Sequence, residues 1–321
     1  MVATERHVRV CIPHHFREDV NDPRYGSRRP GNRLARCLAL GRCLAALLDL
    51  QRRREQAQLG IGQSSIDQFP CRPEADMVEN VRLEIHVCSD GRHQLDEVLQ
   101  HFNGQIHRHR IDLADPRQLA LAARDLLIQH PQPADLNLYL EDDLVISDRH
   151  YLDKIAWFQE LCEHRMVLMP HRYERLDRDD VGVLLVDGPL RPGFIGRFTT
   201  PRHNVLQGRW RAGPAIDFDV ATNPHSGSFC LSRAQVKQLK GLELPRQGFI
   251  GPMETAATLT VLGHFPVLKP ALQQWRFLAV EHGHPTFRAL WHTRLQSGSR
   301  PSQQPEQQPE RKARRIQFLD P

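Results

Sequence analysis

The sequence predicts an α/β fold on a mostly parallel sheet, and three observations carry that reading. Short apolar segments at residues 8–12 (VRVCI), 83–88 (LEIHVC) and 136–140 (LNLYL) have the length and residue types of buried strands. Helical patterns separate them over the first 170 residues. Each segment also runs straight into polar residues: Pro13-His14-His15, Ser89-Asp90-Gly91 and Glu141-Asp142-Asp143. Polar groups are thereby placed at the carboxyl edge of the sheet, where open α/β sheets form their ligand crevice.

The elements follow in order. Asn32 is a plausible N-cap, and Leu34, Cys37, Leu38, Leu44, Leu47 and Leu48 recur at helical spacing as far as about residue 56. Residues 59–80 hold Gly60, Gly62, Ser64, Ser65, Pro70 and Pro73 and read as a loop. Residues 94–101 read as a short helix and 106–111 as a strand with alternating basic residues. Asp115-Pro116 opens a helix that Pro131 and Pro133 close. A helix over 151–164 and a strand over 166–169 complete the regular half. Beyond it, strands at 181–186 and 215–220 flank a Gly/Pro/Arg-rich stretch, 188–214. A strand at 229–231 leads into a helix over 233–239, and a further helix covers 252–262. Short strands at 265–268 and 277–280 follow, the second running into Glu281-His282-Gly283-His284. Residues 1–295 are expected to form one large domain, and residues 296–321 a disordered polar tail.

Composition narrows the function classes. The chain has 321 residues, 40% apolar and 25% charged, which is ordinary soluble composition with room for a sizeable core. Lys and Arg total 43 against 38 acidic residues, a net charge of only +5, and few of the basic residues are Lys, so no nucleic-acid partner is expected. Arg matters here chiefly beside a diphosphate, which its planar fork grips with two hydrogen bonds. Seven cysteines without a C-x-x-C pair suit neither a disulfide framework nor a zinc ribbon, and a reducing, cytoplasmic setting is expected. No secretory leader pattern is visible, and no apolar run reaches the roughly 20 residues needed to cross a bilayer. A peripheral membrane contact stays open, as does the oligomeric state. A P-loop and a dinucleotide-binding G-x-G-x-x-G after the first strand are both missing.

Four motifs carry chemistry. Three adjacent carboxylates in Glu141-Asp142-Asp143 repel one another unless a cation, an Arg or a helix terminus compensates them. Their oxygens suit Mg²⁺ or Mn²⁺, although a solvated acidic turn gives the same letters. His282-x-His284 follows a strand, where alternate residues share a face, so both imidazoles can meet one metal, or one ligates while the other packs. His107-x-His109 reads as a solvated strand face. In Gly251-Pro252-Met253-Glu254, Pro in the first turn presents Glu254 at a helix start, either to complement the dipole or as a general base. Residues 223–228 (NPHSGS) read as a small-residue turn, in which Gly227 either lets the backbone approach a ligand or simply makes a tight turn.

Taken in order, these motifs resemble the GT-A superfamily of nucleotide-sugar glycosyltransferases. The likeness spans residues 8–291 in element order and rests on residues 137–143, 225–233, 251–254 and 280–284. It implies a GT-A-like, Rossmann-like sheet in a metal-dependent, hexosyltransferase-like enzyme that uses Mn²⁺ or Mg²⁺. The donor would be a nucleotide-diphosphate sugar and the acceptor a hydroxyl of a glycan, lipid or protein. Within that resemblance Asp143 is the principal metal ligand, Glu141 or Asp142 lies toward ribose and metal, and His284 or His282 completes the shell. Glu254 is the base if the reaction inverts, with retention or inversion left open, and Pro13, His14 and Asp90 surround the nucleotide. Arg172, Arg197 and Arg202 are candidates for phosphate or acceptor contacts. Glu in place of the first Asp of a D-x-D motif leaves the division of labour within residues 141–143 open. Two other classes fit the same residues: a metal-dependent hydrolase using bound water, and a non-catalytic nucleotide-sugar-binding domain.

Overall fold

The computed structural model describes residues 5–18, 30–71, 77–176 and 182–288, and the expected polar tail lies outside them. In chain order the strands are β1 (Glu5–Pro13), β2 (Glu55–Gly60), β3 (Ser65–Pro70), β4 (Asn80–Ser89), β5 (His107–Arg110), β6 (Leu136–Leu140), β7 (Leu144–Val145) and β8 (Val167–Leu168). They continue with β9 (His171–Arg175), β10 (Val183–Leu185), β11 (Arg202–Arg209), β12 (Ala215–Val220), β13 (Ser228–Ser232), β14 (Val267–Pro270) and β15 (Ala279–His282). The helices are α1 (Arg33–Leu48), α2 (Asp96–His101), α3 (Leu119–Ile128), α4 (Tyr151–Leu161), α5 (Pro192–Ile195), α6 (Arg233–Leu239), and α7 (Pro252–Glu254), which runs through a π turn, Thr255–Leu259, into α8 (Thr260–Leu262).

The central sheet has the order β13-β6-β1-β4-β5. β6, β1, β4 and β5 are parallel, and β13 closes the edge antiparallel to β6. Alternation along each strand divides its side chains between two cores. Val8, Val10, Ile12, Ile85, Val87, Leu138 and Leu140 pack with Leu40, Leu44 and Leu47 of α1. Cys11, Cys88, Tyr139, Phe229 and Leu231 pack with Leu121 and Leu127 of α3, Val236 and Leu239 of α6, and Val261. Burial on both faces explains why these strands read as nearly continuous apolar runs. The fold is therefore mixed α/β around a mostly parallel sheet, as predicted.

Two smaller sheets stand beyond it, β10-β9-β15-β7 and β11-β12-β14-β8. The first matters for function. β15 runs antiparallel to β7, with His282 opposite Leu144, and parallel to β9, with Glu281 opposite Tyr173. Late and middle parts of the chain thus meet where β6 ends.

The structure departs from the sequence reading in four places. α1 stops at Leu48, because Arg52 leaves the helix to form a backbone bridge with Val81 while its guanidinium binds Asp153 at 2.7 Å. Residues 55–70 form the hairpin of β2 and β3 rather than a loop. Its strands are exposed on both faces and so lack apolar alternation. The unassigned stretch after residue 170 contains β9, and the Gly/Pro/Arg-rich segment contains α5 and β11. The helix expected over 252–262 is broken by its π turn.

Candidate active site at the end of β6

β6 ends at Leu140, and its last polar neighbours turn into a crossing of three elements. The Glu141 N–H donates to Gly227 O at 3.0 Å, just before β13, and the Gly283 N–H donates to Asp143 O at 2.6 Å, just after β15. Gly227 is needed at this crossing. Its φ is +64°, and a Cβ there would lie 2.5 Å from Glu141 Oε2.

A guanidinium that the sequence reading passed over organises the motif. Arg36 is buried on the same stripe of α1 as Leu40, Cys43, Leu44 and Leu47. Its Nη2 donates to Asp142 Oδ1 at 2.6 Å and its Nη1 to Asp143 Oδ2 at 2.7 Å. Asp142 Oδ2 pairs with His14 Nδ1 at 2.6 Å. His14 Nε2 accepts the Leu95 N–H at 3.0 Å, so Nδ1 carries the proton and donates to Asp142. Both Asp142 oxygens are thus engaged. Burial opposes its ionisation, but Arg36 and His14 outweigh burial and hold the carboxyl below its ordinary range.

Asp143 faces the other way. His282 Nε2 lies 3.6 Å from Asp143 Oδ2. The opposite nitrogen, His282 Nδ1, binds Glu174 Oε1 at 2.7 Å, and the fully buried Glu174 also accepts the Phe287 and Arg288 N–H groups at 3.1 and 2.6 Å. A carboxylate behind one imidazole nitrogen, with the other aimed at an acid, is the arrangement that orients histidine toward a metal. Burial pushes His282 down, but Asp143 and Glu174 outweigh it and hold the imidazole up at about 9.

Glu141 points into the protein. Its Oε2 is 3.6 Å from Arg172 Nη1, and Arg172 in turn binds Asp187 at 2.7 Å. Lys269 approaches Asp187 at 3.5 Å and donates to the backbone oxygen of His225 at 2.6 Å. The His225 ring pairs with Thr258 in the π turn at 2.8 Å. Burial pushes Glu141 up to about 7; Arg172 pulls it down, while Asp143 and Glu254 push it further up. Glu254 stands in the first turn of α7, half-buried, with its carboxylate packed against Gly251.

The donor set fits a hard divalent cation. Glu141, Asp142, Asp143, Glu174 and Asp187 are five carboxylates, against the three permanent cations Arg36, Arg172 and Lys269. With the His282 imidazolium among the cations and Glu141 only part-ionised, the charges nearly balance, and what suits the cluster to a divalent ion is its chemistry, a carboxylate and an oriented imidazole side by side. Asp143 and His282 are the residues that would hold it, since Mg²⁺-type sites often use one or two protein ligands and substrate phosphates for the rest.

Some of the remaining sequence candidates lie beside this cluster and others stand apart from it. His284 is buried just beyond the end of β15, where it feels the charges of Arg36, Asp143, His282 and Asp142. Pro13 and His14 end β1 beside the motif. Asp90 is joined to His93 at 2.7 Å and faces His15 at 3.8 Å. Arg172 is committed to Asp187 and Glu141, and Arg197 stacks on Phe194 and Phe198 at 4.6 and 5.2 Å. Arg202 lies exposed at the start of β11. Arg36, Glu174, Asp187 and Lys269 were not foreseen. Only Arg36 had a legible signal, a charge on the apolar stripe of its helix.

No protein-family model matches the sequence, and no curated protein matches it. Among solved structures the chain is similar to a crystal structure of GalNAc-T7 with UDP, GalNAc and Mn²⁺, at 12% identity over 86% of this chain and 43% of that one, with a TM-score of 0.42. It is also similar to two crystal structures of S. aureus TarS at 11% identity. These cover 82% of this chain and 57% or 35% of theirs, with TM-scores of 0.39 and 0.38. The chain spans less than two thirds of the length of each of these structures.

Proposed function

We propose that the chain is a GT-A-type glycosyltransferase that moves a sugar, a hexose in the simplest case, from a nucleotide-diphosphate donor to a hydroxyl acceptor. The observation that carries this reading is the pairing of Asp143 with a Glu174-backed His282 at the carboxyl end of β6, near Glu254. Residues 1–295 would be the catalytic unit, and a reducing cytoplasm suits its seven free cysteines.

In this reading each residue has a distinct task. Asp143 and His282 would hold Mn²⁺ or Mg²⁺, which would supply positive charge to a leaving diphosphate. Arg36 and His14 fix Asp142, so the motif keeps its shape while the donor exchanges. The ends of β1 and β4, with Pro13, His14 and Asp90, form the nucleotide side. Glu254 accepts the proton of the attacking hydroxyl. The acceptor, a glycan, lipid or protein hydroxyl, enters from the side of α7.

Incubation with a panel of UDP- and GDP-sugars and Mn²⁺, with released nucleotide diphosphate as the readout, tests the reading. At least one donor is turned over by the wild type, and Asp143→Ala and Glu254→Gln each lose roughly 100-fold or more. Turnover at the wild-type rate in Asp143→Ala, or none with any donor, contradicts it.

A further inference from the structure

A second group of ligating side chains lies at the ends of β1 and β4. In the Pro13-His14-His15 run, successive side chains point to opposite sides, as they must along an extended chain. His14 turns toward Asp142, and His15 turns away, toward the turn that follows β4. Backbone hydrogen bonds from His14 N–H to Cys88 O and from Phe16 N–H to His93 O, both 2.8 Å, fix the two segments against each other. Gly91, at φ +73°, makes the turn that brings His93 back over Asp90.

The outcome is a convergent set of three ligands. His15, Asp90 and His93 each offer one ligand atom, and these atoms lie within 4.8 Å of one another, the one such group among the described residues. Asp90 is already oriented: its Oδ1 accepts the Arg92 and His93 N–H groups at 2.8 and 2.7 Å. Its Oδ2 is left facing His93 Nδ1 at 2.7 Å and His15 Nε2 at 3.8 Å, and the two rings are 5.2 Å apart. The side chains of His15 and Asp90 are 14% and 13% exposed and that of His93 is 35% exposed, so the group is both supported and reachable from solvent.

We propose that His15, Asp90 and His93 form a binding site for a divalent transition metal of the Zn²⁺ class, separate from the acidic motif. Two imidazoles and one carboxylate are a borderline-soft set that suits Zn²⁺, Co²⁺ or Ni²⁺, whereas Mg²⁺ prefers oxygen alone. A modest rotation of the half-exposed His93 closes the ligands onto a single ion with bonds of about 2.0–2.2 Å. Three protein ligands leave a coordination position open. One carboxylate against a divalent ion leaves a net positive charge, so the open position takes water or an anionic group. This use of Asp90 differs from a direct nucleotide contact and does not depend on the transferase reading.

The test uses the full chain as Asp143→Asn, which removes the acidic motif's own ligand, with Zn²⁺ followed by calorimetry and Co²⁺ by visible absorption. One equivalent of Zn²⁺ binds, Co²⁺ gives ligand-field bands, and excess Mg²⁺ displaces neither. Adding His93→Ala or Asp90→Asn weakens Zn²⁺ binding by roughly 100-fold or more. An unchanged melting temperature of these variants in EDTA shows that the fold survives, and His93→Ala, at a half-exposed position, serves if Asp90→Asn does not fold. Absence of Zn²⁺ binding in Asp143→Asn, unchanged affinity after His93→Ala, or displacement by Mg²⁺ overturns the proposal.

Discussion

Arg36 bridges Asp142 and Asp143 from within a buried helix stripe, and removal of its charge leaves these enclosed carboxylates to His14 and His282 alone. Breaking a buried pair in this way typically costs about 3–5 kcal/mol. Arg36→Met is therefore expected to lose stability on that scale in urea denaturation, and the proposed Mn²⁺ site would return part of the loss when the ion is added. Unchanged stability would show that the bridge is incidental. Gly227 is the second sensitive residue. Gly227→Ala places a methyl group against Glu141 in a backbone conformation that L residues avoid, so a lower melting temperature is expected, and an unchanged one would contradict the crowding. The acidic motif itself was legible in the sequence because three carboxylates after an apolar strand are costly without a partner. Its partners were not: Glu174, Asp187 and Lys269 reach it only through long-range pairing of β9, β14 and β15.

Among the elements, those buried on both faces were legible and those organised by distant charges were not. β1, β4 and β6 read correctly because their alternating sides both meet apolar cores. β9 did not, because Arg172 and Glu174 are charged yet point inward toward Asp187 and His282. Local chemistry fixes α6 well: Ser232 and Gln235 form a reciprocal capping box at its start, and Gln235 also binds Met166 O at 2.8 Å. Ser232→Ala is expected to cost about 1 kcal/mol in chemical denaturation. A loss near zero would mean that packing of Val236 and Leu239 alone sets the helix.

On the scale of the whole molecule, the histidines set the response to acid. Burial pushes His86 and His171 down to about 4 and His225 to about 3, from an ordinary value near 6.5. Between about pH 6.5 and 4 the unfolded chain therefore binds more protons than the folded one at these three sites, and stability falls as pH falls. Glu141, pushed up to about 7, opposes this with one proton. Glu84 and Asp90, held at about 2 against burial by Arg9 and by the His93 and Arg92 N–H groups respectively, add a further loss below about pH 4.5. The thermal unfolding midpoint should thus drop steadily from pH 6.5 to 4, and a flat profile would contradict the buried neutral state of these rings.

The central claim is that the end of β6 holds a nucleotide diphosphate together with a divalent cation. Thermal unfolding with UDP or GDP, each with and without Mn²⁺, tests it most directly. The account predicts that at least one nucleotide raises the midpoint only when Mn²⁺ is present, and that Asp143→Ala abolishes the shift. No shift with either nucleotide, or an equal shift in Asp143→Ala, would contradict it.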